Sequence, residues 1–260
     1  MELLVIGIAA CLVSGLTLFS GFGLGTVLTP VFPLFFPVTL AVAATAVVHF
    51  ANNLIKLGLM ARQADWRVAI RFSIPAALAA VVGAGLLSWF DRLPVLLRYS
   101  LGGGMHDITV VKAVIGGLII AFALLELSPR FQALVLPPRY LFWGGLLSGF
   151  FGGLSGNQGA FRSAFLIKTG LSKEAFVATG VVSAVIVDAV RLVVYGVTFL
   201  AEHFARSQEL MIPVAVGIAC AFIGAVLGKR LLRKITLRAV QVVVAVMMLL
   251  VGGGLAAGLI

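Results

Sequence analysis

Apolar runs long enough to cross a bilayer recur from one end of the sequence to the other, and they restrict the fold more than anything else in it. A helix needs about 20 apolar residues to span roughly 30 Å of hydrocarbon. Runs of that kind fall at roughly 2 to 36, 38 to 61, 68 to 90, 107 to 127, 139 to 169, 174 to 200, 210 to 228 and 239 to 260, with polar or Pro-rich breaks between them. Lipid offers the backbone no hydrogen-bond partner, so a spanning run must satisfy its own amides, and runs of this length do so as helices. With 62% hydrophobic and 11% charged residues in 260 and a mean hydropathy of +1.18, a water-soluble domain is excluded. The expected fold class is an all-α integral membrane protein.

The basic excess, 19 Lys and Arg against 9 Asp and Glu, sits mainly in short connections between apolar runs. It reads as a set of orientation signals, and no nucleic-acid partner is expected. Cys11 and Cys220 lie inside apolar segments without metal-ligand spacing, so packing roles are expected, with no disulfide, metal or other cofactor. The chain opens Met1-Glu2 and turns apolar at once, without a basic leader region, which predicts a retained first helix and a mature chain equal to the whole.

The first and fifth runs exceed 30 residues and are interrupted by glycine, at Gly21-Phe22-Gly23-Leu24-Gly25 and at Gly152-Gly153-Leu154-Ser155-Gly156-Asn157-Gln158-Gly159. Each predicts a helical hairpin, either re-entrant or crossing twice. The two match at an offset of 134 residues: Ser14-Gly15 falls on Ser148-Gly149, Gly25 on Gly159, and Ala44-Thr45 on Ala178-Thr179. The spacing predicts a duplication, residues 1–127 and 139–260 joined by a loop at 128–138. Each half is a glycine-broken hairpin (2–36 and 139–169) followed by three transmembrane helices, with Ile74-Pro75 and Ile212-Pro213 opening corresponding third helices. A hairpin returns to the side it left, so each half makes an odd number of crossings and the second repeat is inverted.

Charge supports inversion. One face then gathers twelve basic residues, Arg62, Arg67, Arg71, Arg130, Arg139, Lys168, Lys173, Lys229, Arg230, Arg233, Lys234 and Arg238, against four on the other, Arg92, Arg98, Lys112 and Arg206. Eight single spans would divide the same residues ten against six. Positive residues stay on the cytoplasmic side, which puts both termini outside.

Inverted repeats with broken helices place substrate near the bilayer midplane, and glycine-rich tips expose amides at a helix N-terminus that suit an anion. Close packing through small residues is the competing reading. Candidate ligands are Gly23, Gly25 and Thr26 at the first tip, and Ser155, Asn157, Gln158 and Arg162 at the second. Arg162 reads as an anion ligand or as a side chain snorkelling to a headgroup. His49, Asn52, Asn53 and Lys56 share one helical face; His49, Asn52 and Asn53 join the candidates, while Lys56 reads as snorkelling toward the interface near Arg62. Asp188 and Arg191, three residues apart, form either a structural ion pair or a coupling pair that carries a proton.

The Ser14 to Gly25 glycine motif followed by Pro30, its echo from Ser148 to Gly159, and the Ala-Thr-x-x-Val helices at Ala44 and Ala178 resemble the TauE/SafE family of membrane permeases, over essentially the full length. That resemblance implies transport of a small sulfur-containing or organic anion, such as sulfite, a sulfonate or sulfoacetate, across the cytoplasmic membrane of a bacterium or archaeon. The expected partners are that anion, the bilayer and coupled protons; an oligomer is equally compatible with the sequence. A passive anion channel could use the same residues. A third reading, an intramembrane serine hydrolase, rests on Gly153-Leu154-Ser155-Gly156 with His49 as base.

Overall fold

The computed structural model describes residues 1–20, 24–134, 136–200, 209–231 and 237–260, without the side chains of 16–20, 24–27, 132, 199–200, 228–231 and 237–241. Helix α1 covers Glu2–Ser20 and α2 covers Leu24–Val31. After a short turn come α3 (Val38–Met60) and α4 (Trp66–Asp91). A hairpin of β1 (Val95–Leu101) and β2 (Gly104–Thr109) leads into α5 (Val110–Leu127) and the single turn α6 (Pro129–Gln132). Then follow α7 (Leu141–Ser155), α8 (Gly159–Leu166), α9 (Lys173–Tyr195), α10 (Met211–Leu231) and α11 (Leu237–Ala256). Short polar side chains start the long helices: Asp65, Thr109 and Ser172 accept from the amides of Val68, Lys112 and Ala175 and so replace missing intrahelical partners.

Among the described residues, four helical stretches are long and apolar enough to cross a membrane: Val38–Gln63, Trp66–Asp91, Val110–Leu127 and Lys173–Thr198. The fifth apolar run is two helices, as its glycines predict. α7 stops at Ser155 and α8 resumes at Gly159, with Gly156 between them at φ 83°, a left-handed conformation that side chains resist. The eight residues of α8 rise only about 12 Å and cannot span the hydrocarbon. The first run is likewise divided, into α1 and α2, on either side of residues 21–23, which lie outside the described set.

Two expectations are corrected. The fourth apolar run does not begin as a helix at residue 107. Residues 95–109 form an antiparallel hairpin, in which Leu97 faces Ile108 and Arg98 faces Asp107, and α5 starts after it at the Thr109 cap. The hairpin is tied down at its charged face and at its tip. Arg98 donates to both carboxylate oxygens of Asp107 at 2.7 and 3.1 Å and holds that carboxyl below its usual range, while the Tyr99 hydroxyl donates to the Ala257 carbonyl at 2.5 Å. Pro213 does open its helix, at the third residue of α10, but Pro75 lies well inside α4, because the Asp65 cap starts that helix earlier.

Helix packing is governed by small residues. α4 lies most closely on α7, and a Cβ added to Gly145, Gly149 or Gly153 would overlap the carbonyl oxygen of Phe72, Ala76 or Ala80 in turn. Three glycines four residues apart thus meet three carbonyls four residues apart, along one i, i+4 ridge. Gly83 returns the contact, with the Phe150 carbonyl in the space a Cβ would need. α1 and α10 pair in the same manner, Gly224 abutting the backbone of Cys11, while Cys220 Sγ fills the space beside Gly7. α5 packs on α11, where Gly116 and Gly252 each face the other's carbonyl oxygen. α9 lies against α3 and α4.

Gly149→Val is therefore expected to push α7 off α4 and lower the apparent melting temperature in detergent by roughly 5 °C or more. Gly85→Ala, at a position with nothing within 4 Å, serves as the control and should leave it within about 1 °C. Fluorescence-detected size-exclusion after heating would compare the two.

Candidate functional site

The end of α7 leaves carbonyls without intrahelical donors for their lone pairs, and the surrounding helices answer them. Gly152 O accepts from the Gly156 amide at 3.0 Å and from Arg191 NH1 at 3.0 Å. Gly153 O accepts from the Tyr195 hydroxyl, and Ser155 O accepts from Thr29 Oγ1 of α2 at 3.4 Å. The second hairpin tip is thereby held by α9 on one side and by the short helix of the first hairpin on the other. A Cβ at Gly156 would crowd Arg191 NH1 and Thr29 Oγ1 at 3.1 and 3.2 Å, so this tip requires glycine for space as well as for φ.

Asp188, fully buried on α9, links the tip to the first half of the chain. Oδ2 accepts from His49 Nδ1 of α3 at 2.6 Å. Oδ1 accepts from Gln158 Nε2 at 2.9 Å and from Arg191 Nε at 3.0 Å. Arg191 NH2 is also 2.7 Å from Oδ1, an ion-pair contact without hydrogen-bond alignment. Gln158 is fixed a second time by its backbone, whose carbonyl accepts from Ser148 Oγ at 2.9 Å. Asn53 holds the histidine, donating from Nδ2 to the His49 carbonyl at 2.9 Å and lying 3.2 Å from both ring nitrogens.

The polar face of α3 is buried throughout: His49, Asn52, Asn53 and Lys56 are each less than one-tenth exposed. Its members are not equivalent. His49 and Asn53 join the Asp188 cluster, whereas Asn52 Oδ1 accepts from Ser14 Oγ of α1 at 3.0 Å. Lys56 does not reach the interface as the sequence suggested. It is 8% exposed and in electrostatic range of Arg162, which is also 8% exposed and in turn in range of Asp188. Arg162 lies along the α9 backbone at Gly180, whose Cβ position is 3.5 Å from Nε. Arg162 and Arg191 thus stand in range of the Asp188 carboxylate, and Lys56 stands in range of Arg162.

Besides Arg191 NH2, four buried polar atoms of this region have no hydrogen-bond partner among the described residues: Asn52 Nδ2, Asn157 Oδ1, Gln158 Oε1 and Arg162 NH1. Asn157 uses its Nδ2 to reach Ser155 Oγ at 3.2 Å, and Ser155 Oγ donates back to the Phe151 carbonyl at 3.1 Å. The three leading amides of α8 have no acceptor within their own helix. Of the first-tip candidates, Gly23 lies outside the described residues, as do the side-chain surroundings of Gly25 and Thr26. Sequence reasoning passed over Thr29 and Tyr195, whose contacts join parts of the chain far apart in sequence, and Glu126, buried near the end of α5. It underrated Lys56, although the i, i+3, i+4, i+7 spacing from His49 placed it on the same face.

Broken helices gathered around a charged cluster inside an apolar helical chain define a multi-pass membrane protein of the transporter class. The chain belongs to the sulfite exporter TauE/SafE family, whose sequence profile matches residues 3–255. No curated protein and no solved structure matches it significantly. The family is one of membrane transporters for sulfite and related sulfur anions, in agreement with the resemblance carried by the duplicated glycine motifs.

Removing the Asp188 carboxylate alone strands Arg191 as a buried unpaired charge, so Asp188→Asn should destabilise the protein by about 3–5 kcal/mol. Asp188→Asn with Arg191→Gln should recover part of that loss. Thermal unfolding of the single and double variants in one detergent would show the recovery, and additive losses would separate the two residues.

Proposed function

We propose that the protein is an alternating-access secondary transporter that moves a small sulfur-containing or organic anion, of sulfite, sulfonate or sulfoacetate type, across the cytoplasmic membrane of a bacterium or archaeon. The observation that carries this reading is the buried guanidinium of Arg162 in the first turn of α8, whose NH1 has no hydrogen-bond partner among the described residues. Arg162 is in electrostatic range of Lys56, and an anion held against the guanidinium satisfies its buried donor. Arg162 binds it through charge-assisted hydrogen bonds, with Lys56, Asn157 and the α8 amides completing the site.

Two inverted repeats, residues 1–127 and 139–260, supply the moving parts in this reading. Packing partners are exchanged between the halves, α4 on α7 and α10 on α1, and Gly116 and Gly252 make reciprocal contacts. Exchange of packing partners between corresponding helices is what a two-fold relation requires. The halves rock about the tips, and both termini face outward because the basic connections stay inside. The serine hydrolase reading has less support: Ser155 Oγ donates to Phe151 O, and His49 is engaged with Asp188 rather than with the serine.

In proteoliposomes preloaded with sulfite, labelled sulfite should enter by counterflow. Arg162→Ala should reduce that exchange by about 10- to 100-fold, the worth of one or two charge-assisted hydrogen bonds, while its elution profile in detergent stays that of the wild type. Unchanged exchange would take Arg162 out of the site, and flux without counterflow would favour the channel reading.

A further inference from the structure

His49 and Asp188 meet at 2.6 Å, with side chains 3% and 0% exposed. Both oxygens of the carboxylate are occupied as acceptors, from His49, Gln158 and Arg191. The imidazole is not filled in the same way. With Nδ1–H donating to Asp188, Nε2 keeps the lone pair to which a proton adds. Asn53 Nδ2 stands 3.2 Å from that nitrogen while donating to the His49 carbonyl, so protonation of Nε2 requires the Asn53 amide to swing aside. Among the described residues, the charged groups acting on the ring are Asp188 and Arg191 of α9 and Arg162 of α8. Asp188 favours an imidazolium and the two arginines oppose it. Arg191 is committed to Asp188, so the variable member is Arg162, the proposed anion ligand.

We infer that His49, held by Asp188, is the proton-binding residue of this transporter, and that it takes up its proton together with the anion, so that the two cross in the same direction. This inference rests on the reading of Arg162 as the anion ligand. An anion on Arg162 cancels the positive field that opposes the imidazolium, so anion and proton each strengthen the binding of the other by the same factor. The doubly loaded site carries less net charge than the site holding the proton alone, so the anion lowers the cost of carrying the proton through a low-dielectric protein. On loading, a proton from the open side adds to Nε2 and one N–H bond forms. On release that bond breaks, the proton returns to water on the far side, and the His49–Asp188 contact is left as it began.

The test uses the full chain in proteoliposomes with a pH-sensitive dye trapped inside. Sulfoacetate is the first probe, because both its acidic groups stay ionised from about pH 6 to 8 and any proton that moves is carried by the protein. The expected wild-type result is acidification of the lumen as sulfoacetate enters, and uptake accelerated several-fold by an inward proton gradient. In His49→Gln the ratio of uptake with the gradient to uptake without it should fall to about one, whatever the absolute exchange rate. If sulfite alone is carried, its own protonation is common to both proteins and the difference between them is the readout. Counterflow in the wild type without a proton-gradient effect, or a gradient effect kept in His49→Gln, would overturn the coupling role and leave the transporter reading standing. Absence of counterflow for both anions would overturn the transporter reading itself.

Discussion

A carboxylate buried among apolar helices must be surrounded by donors, and Asp188 draws them from three parts of the chain. His49 comes from α3, Gln158 from the break between α7 and α8, and Arg191 from one turn along α9. Satisfying that single group fixes the relative positions of the first half, the tip and the second half. Arg191 then uses another nitrogen on the Gly152 carbonyl, so the residue that neutralises Asp188 also caps the broken helix. A helix end inside hydrocarbon is permissible only with such partners, and the charge cluster supplies part of them.

The glycine ridge of α7 makes this arrangement stiff. With no side chain between α7 and α4 at Gly145, Gly149 and Gly153, the two backbones touch, and the tip is carried by a helix seated directly on its neighbour. The same ridge leads directly into the break: Gly153 belongs to the packing surface on α4 and also offers the carbonyl that Tyr195 binds, while Gly152 beside it faces Gln158 and Val187 and offers its carbonyl to Arg191. Packing through small residues and building a polar site were opposed readings of these glycines. In the structure the residues on the α4 side serve the first and their carbonyls on the α9 side serve the second.

The helical breaks, the depth of Arg162 and the Asp188–Arg191 pair were legible because each rests on local spacing: glycine runs, an arginine shortly after a break, two charges on one helical face. The pairing of His49 with Asp188 was not, since the residues stand 139 positions apart and nothing local in either helix marks the other as its partner. Lys56 was misjudged for a related reason. Proximity to Arg62 suggested an interfacial side chain, but whether a lysine at the end of an apolar face is buried depends on what packs over it. The β-hairpin escaped notice because residues 95–101 fell in a break between apolar runs while Ile108 joined the start of the next one, and the cross-strand bonds that decide the matter lie outside any helical periodicity.

Under the proposed duplication, the offset that carries Gly25 to Gly159 also places Leu28 at the position of Arg162, Leu54 at that of Asp188 and Leu57 at that of Arg191. In the other direction His49 falls on Ser183 and Asn53 on Val187. Leu28 is fully buried and Leu54 is 43% exposed, so at these three positions the first half has apolar side chains where the second half has charges. Ser183 turns away from the cluster to accept from Ser73 of α4 at 3.0 Å. The halves have diverged into complementary contributors, one giving the histidine and amide face and the other the arginines and the carboxylate. A symmetric pair of sites would bury twice the charge, with each copy needing its own neutralisation. Under the proposed alternating access, one composite site between the halves confines that cost to a single place.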